Sequence, residues 1–273
     1  MGFILAAALG LAPGLLPAAS GAELWIGAAT ADITPGRPVA LDGQRRVRIS
    51  RKPETAISAT ALALESRDGN KVLEQAIMVS CDLVAIREGI LEQVREKVKP
   101  RLPDFDVAKL FLSATHTHTA PVTLEGRYAR PGDIMRPAEY AEFMTTRVAD
   151  AVVESWQRRR AGRAGWGQGQ AVVAHNRRAV YADGRAVMYG ATNTPDFHGL
   201  EGYEDHSLDA LFFWDQEGRL LATAVNVPCP AQEVEGGSSI HADFWHPVRE
   251  MLRQRHGQGL SVLAWTGAGG SAA

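Results

Sequence analysis

One turn signal, met three times, most constrains what this chain can fold into. Between the strand-like runs "ISATALALES" and "KVLEQAIMVSCDLV" stands Arg67-Asp68-Gly69-Asn70. Asp-Gly between two apolar runs favours a tight hairpin, because glycine takes the positive φ such a turn needs. The device recurs at Asp183-Gly184 inside "AVYADGRAVMY" and around Glu217-Gly218 inside "DALFFWDQEGRLLATAVNV". Hairpins make antiparallel neighbours, which argues against a purely parallel α/β sheet.

Further strands are expected at "ELWIGAATADITPG", stopped by Pro35-Gly36, and at "LSVLAWTG" near the C-terminus. Residues 37–54 are polar and basic and read as an exposed loop. Apolar residues at helical spacing predict helices over Ile86–Val98, Pro137–Trp156 and Asp243–Arg255. Pro137 suits a first helical turn and Asp243 an N-cap. The expected fold class is therefore α/β of the mixed α+β kind. Mixed or antiparallel sheets flanked by helices would form a single domain over residues 23–273. The closing "GAGGSAA" follows a strand with no further helix, so the domain is expected to be truncated at its C-terminus.

Residues 1–22 are set apart from the fold. "FILAAALGLAPGLLPAAS" is apolar and leads to Ser20-Gly21-Ala22, a small-x-small pattern before Glu23. Gly10, Pro13, Gly14 and Pro17 interrupt it, so a signal peptide is favoured over an anchor, and a periplasmic or secreted protein is expected. No later run reaches the eighteen or so apolar residues of a transmembrane span. Net charge is −2 over 273 residues, and the basic clusters at Gln44–Lys52 and Arg158–Arg163 are short, so no nucleic-acid partner is expected. Cys81 and Cys229 lie in or beside apolar runs and read as buried free thiols.

The chemistry concentrates in "LFLSATHTHTAP", where a strand-like run ends in His116 and His118. Alternation along a strand would send both imidazoles to one face, toward one cation or one substrate. An isolated His-x-His is more often a pair of loop histidines. Here Ser113, Thr115, Thr117 and Thr119 offer hydroxyls that could orient the rings. A second cluster, "SSIHADFWHPVRE", places His241 before a helix start and His246 in its first turn; an incidental histidine pair at an N-cap reads as readily. No phosphate-cradling glycine loop, GxSxG or HExxH occurs, which leaves metal-assisted hydrolysis as the best enzyme class.

In order along the chain, "GAATADITPG", "VSCDLV", "SATHTHTAP", "HNRRAV", "NVPCPAQ" and "ADFWHPVR" resemble the N-terminal catalytic region of the neutral/alkaline non-lysosomal ceramidase family. That family is similar to zinc amidases that cleave the N-acyl bond of ceramide, so the resemblance implies a hydrolase of lipid metabolism acting on a small-molecule or lipid substrate. It implies that His116 ligates Zn2+, that His118 lies in the same site near substrate, and that Arg177 holds the reacting oxygen. It also implies departures. Pro230 stands where the family's second zinc histidine falls, and proline binds no metal, so His241 or His246 would have to substitute. The family's glutamate and tyrosine ligands would lie further C-terminal. Its serine position is filled by Ala272, with Ser271 one place early. The alternative expectation is a degenerate, non-catalytic relative that binds a lipid or glycan in the same cleft.

Overall fold

The computed structural model describes residues 21–129 and 132–269. The expected leader up to residue 20, and Ser271 with Ala272, lie outside the described residues. In chain order the elements are β1 (Glu23–Asp32), β2 (Val39–Leu41), β3 (Arg48–Ser50), β4 (Ser58–Asp68), β5 (Lys71–Cys81), α1 (Ile90–Val98), β6 (Leu110–Ala114) and α2 (Pro137–Gln157). They continue with β7 (Arg160–Gln170), β8 (Arg178–Tyr181), β9 (Ala186–Met188), β10 (Phe197–Leu200), β11 (Ser207–Asp215), β12 (Leu220–Val227), α3 (Trp245–His256) and β13 (Ser261–Thr266).

Eight strands form one mixed sheet in the order β13-β12-β11-β7-β1-β4-β5-β6. Only β5/β6 and β12/β13 run parallel; the other pairs are antiparallel. The two halves fold face to face. Ile26 and Leu62 from one half pack against Phe213, Ala224 and Leu263 from the other. Ser80 Oγ donates to the Ala264 carbonyl at 2.6 Å and accepts its amide at 3.2 Å, tying β5 to β13. Helices α1 and α2 cover the outer face of the β1/β4/β5/β6 half, burying Val94, Val98, Tyr140, Met144 and Val148 against Ile77 and Leu110. Helix α3 covers the other half through Trp245, packed with Val227 and Ala264. The molecule is thus helix, sheet, sheet, helix, as the α/β class with mixed strands anticipates.

Alternation in β4 shows how the sequence specifies these layers. Ala59, Ala61 and Ala63 face α2, whereas Leu62 and Leu64 face the opposing half-sheet. Small residues let the helix approach, and the leucines, worth about 1.5–3 kcal/mol each when buried, fill the space between sheets. Gly27 marks the closest approach: a Cβ there would stand 2.0 Å from the Ser155 carbonyl oxygen on α2.

All three hairpin turns form, with Gly69, Gly184 and Gly218 at φ of 56°, 82° and 82°. The three helices form too. Helix α1 starts at Ile90 rather than Ile86, because Gly89 at φ 81° is left-handed and cannot extend the helix backward. Residues 37–54 are not a wholly exposed loop. They carry the β2–β3 hairpin, with Val39, Leu41, Arg48 and Ser50 buried. Asp243 does not cap α3 by its side chain; it sits at φ 57° and accepts from the amides of Glu233, Val234 and Phe244. Strand β7, "RAGRAGWGQGQ", has no apolar alternation to announce it. It is completed from outside, since the Trp214 ring covers the face that Gly165 leaves bare. Both cysteines are free and buried.

One buried ion pair joins α3 to the end of β5. Arg249 Nη1 and Nη2 donate to Asp82 Oδ2 and Oδ1 at 2.7 and 2.9 Å, with both side chains almost fully enclosed. Asp82 also accepts from the Ser58 amide and hydroxyl. Removing one partner leaves the other charge uncompensated, so Arg249→Met should cost about 3–5 kcal/mol in urea unfolding. A loss near zero would show that the pair is dispensable.

Candidate metal centre

The carboxyl ends of β5, β6, β12 and β13 meet at one end of the molecule, and "THTHTAP" crosses it. The β5–β6 pairing continues past both strands: Thr115 N donates to the Cys81 carbonyl at 3.0 Å and Thr117 N to that of Leu83 at 3.2 Å. Thr266 Oγ1 on β13 donates to the Thr115 carbonyl, and so does the Ala231 amide beyond β12. Four strand ends therefore hold residues 115–117 in place.

His116 and His118 do converge, though not by strand alternation alone. His116 has φ 63°, a left-handed conformation uncommon for a non-glycine residue. That turn brings its Nε2 to 3.2 Å from Nε2 of His118. Each ring is held from behind. His116 Nδ1 lies 2.7 Å from the Val84 carbonyl oxygen, which can only accept, so in the neutral ring Nδ1 carries the proton and Nε2 the lone pair. His118 Nδ1 lies 2.9 Å from Glu235 Oε2, and the same reasoning puts the lone pair of its neutral ring on Nε2. Burial, and then the neighbouring His116, hold the His118 pKa below the ordinary histidine value. The side-chain amide nitrogen of Gln232 approaches His118 Nε2 at 2.6 Å.

His118 is also fixed from below by the β2–β3 hairpin. Arg48, almost fully buried, donates to the carbonyls of His118, Asp42, Glu235 and Gly237, gathering three segments around one guanidinium. Gly43, at φ 94°, lies so close to the ring that a Cβ would stand 2.4 Å from His118 Cγ. Neighbouring Asp42 is buried, which by itself would raise its pKa. Hydrogen bonds from Arg87 and the Gly43 amide outweigh that and hold it below the usual carboxylate range.

The remaining expected residues make contacts of their own. His241 Nδ1 accepts from the Asp243 amide at 2.8 Å, and its ring lies 6.2 Å from that of His246. The Thr117 and Thr119 hydroxyls donate to the His241 carbonyl rather than orienting an imidazole. Among the described residues, no three His, Cys, Asp or Glu side chains gather in a group able to hold a metal. Buried Pro230 lies beside the centre, one residue before the amide that reaches Thr115. Arg177 precedes β8, its guanidinium 6.0 Å from the centre of the Tyr189 ring. Burial pushes the Cys229 thiol up to about 11, so it is no nucleophile at neutral pH.

Sequence reasoning missed Arg48, Gly43, Gln232 and Glu235. Gln232 closes the quoted "NVPCPAQ" without a role of its own, the other three lie in polar stretches with no pattern, and each acts through a contact distant in sequence.

The donor chemistry fits zinc in part. Two lone pairs facing at 3.2 Å repel unless a cation lies between them. Two Zn–N bonds of about 2.05 Å at the tetrahedral angle place their nitrogens about 3.3 Å apart. The pair thus suits two positions of a tetrahedral ion. Because Gly43 leaves no room for a methyl group, Gly43→Ala should displace His118 and lower stability by more than about 1 kcal/mol. Thermal melting, together with the His118 ring signals in NMR, would show it; unchanged signals would refute this packing.

No family model matches the chain, and no curated protein matches it. Solved structures do. Neutral ceramidase from Pseudomonas aeruginosa superposes with a TM-score of 0.72 at 16% identity, covering 92% of this chain and 39% of its own. A ceramidase complexed with C2 superposes at 0.69, with the same identity and coverage. The chain therefore spans about two fifths of the length of these structures, and at this identity the likeness concerns fold. In fold, the chain is ceramidase-like.

Proposed function

We propose that the chain carries a metal-dependent hydrolase site for an N-acyl amide bond of a sphingolipid-like or related substrate, with His116 and His118 holding a zinc ion. One observation carries the reading: two imidazole Nε2 atoms, each the lone-pair nitrogen of its neutral ring because an acceptor lies behind Nδ1, face each other at 3.2 Å. The ceramidase-like fold supports the choice of an acyl amide as substrate class.

When bound, zinc would polarise the scissile carbonyl and lower the pKa of a water toward about 7. The protein's own share is positioning. The Val84 carbonyl keeps His116 in one tautomer, and Glu235 does so for His118 while offsetting positive charge behind the ring. Arg177, in "HNRR", is proposed to hold the reacting oxygen, where a guanidinium would stabilise developing negative charge. An exported protein is proposed with this reading, from the apolar leader before Glu23. No helix among the described residues is long and apolar enough to cross a membrane.

Pro230 and the want of a third His, Cys, Asp or Glu ligand favour a second reading, a non-catalytic relative that binds a lipid or glycan. Elemental analysis and turnover of short-chain fluorescent ceramides separate the two. The hydrolase reading expects about one zinc per chain, lost in His116→Ala, and chelator-sensitive hydrolysis. Zinc without turnover supports the binding protein, and wild-type protein that takes up no zinc contradicts the metal site.

A further inference from the structure

We infer that the groove at the N-terminal ends of β12 and β13 binds an acidic saccharide, its sugar ring stacked on Trp214 and Phe212 and its acid group held by guanidiniums. This groove opens at the opposite end of those strands from His116 and His118, and does not depend on the histidine pair. Its volume is about 960 Å³, within the range of small-molecule pockets. One wall is aromatic. Leu211 and Phe213 face the opposing half-sheet, so alternation along β11 turns Phe212 and Trp214 to the other side, outside the hydrophobic clusters of the described residues. Both rings rest against β7, where a Cβ on Gly165 would stand 3.0 Å from the Trp214 ring and one on Gly167 3.5 Å from that of Phe212. The two rings are stacked, 5.8 Å between centres and 29° between planes, and both line the groove.

The rim is cationic. Arg160, Arg219, Arg255 and His256 line the groove, and no Asn, Gln, Asp or Glu does. Arg160 and Arg219 share the wholly buried carboxylate of Asp215, at 3.5 and 2.8 Å, and Arg219 reaches exposed Glu217 at 3.8 Å. Arg255, in the last turn of α3, is exposed and has no ion-pair partner among the described residues. The three guanidiniums therefore outnumber the two carboxylates even with His256 neutral. A rim of donors selects a ligand that accepts. Guanidinium holds a carboxylate, phosphate or sulfate through paired N–H donors. A neutral sugar would bring hydroxyl protons that meet no carboxylate or amide here, and a nucleobase edge would find no amide to read it. A uronic acid joins the accepting group to a ring whose C–H face covers an aromatic one.

Calorimetric titration of the full chain with trigalacturonic acid, beside maltotriose as the neutral control, tests the assignment. The uronate should bind, more weakly as salt rises, and maltotriose should not. Arg255→Gln should weaken uronate binding at least about tenfold with an unchanged thermal melt, because a charge-assisted hydrogen bond is lost. Trp214→Leu should weaken it too; if that variant melts lower, Arg255→Gln decides alone. Equal binding of maltotriose, wild-type affinity in Arg255→Gln, or a preference for adenosine monophosphate overturns the assignment. A free saccharide and a glycolipid head group share this chemistry, and phosphatidylcholine vesicles with and without a glucuronosyl glycolipid distinguish them. Retention by the glycolipid vesicles alone, without binding of the free trisaccharide, assigns the head group, with the same loss expected in Arg255→Gln. Wild-type protein that binds neither overturns the proposal.

Discussion

Everything at the candidate centre depends on where four residues at the end of β5, Cys81 to Val84, are held. Asp82 is locked by Arg249 from α3 and by Ser58 at the start of β4. The carbonyls on either side of it, those of Cys81, Leu83 and Val84, then receive Thr115 N, Thr117 N and the His116 ring. A buried ion pair contributes little net stability over a well-packed apolar pair, but breaking it is costly. Its effect here is geometric: it fixes the template on which the His-x-His segment lies. The left-handed turn at His116 is sustained because neighbours on both sides determine it.

A second layer of constraint acts on His118. Gly43 and Arg48, on a hairpin remote in sequence, press against the ring and hold its backbone carbonyl. Glu235 arrives from a loop before α3 and takes the ring's far nitrogen. Two imidazoles poised with lone pairs inward are therefore the outcome of three separately anchored segments. Orienting contacts behind metal-binding histidines commonly do this, setting tautomer and ring angle together.

Much of the fold was legible because its signals are local. Asp-Gly turns, helical spacing in Pro137–Trp156 and alternation in β4 each follow from neighbours a few residues apart. Strand β7 was not, because its glycines carry no pattern and its cover comes from Trp214 on another strand. The β2–β3 hairpin was hidden by its basic character, and Arg48 is buried only because four carbonyls surround it. At the site, His-x-His could be read directly from the sequence. His241 and His246 were expected only as substitutes at the position Pro230 fills; their rings lie 6.2 Å apart edge to face, and Asp243 between them turns the chain to collect amides. Gln232 and Glu235 could not be read, since nothing near them in sequence signals a partner more than a hundred residues away.

The central claim is that His116 and His118 bind one ion together. Zinc K-edge absorption on the zinc-loaded wild-type protein tests it most directly. The account predicts two imidazole nitrogens at about 2.0–2.1 Å with oxygen donors completing the shell. A spectrum with a single imidazole, or one that keeps two in His118→Ala, would contradict it.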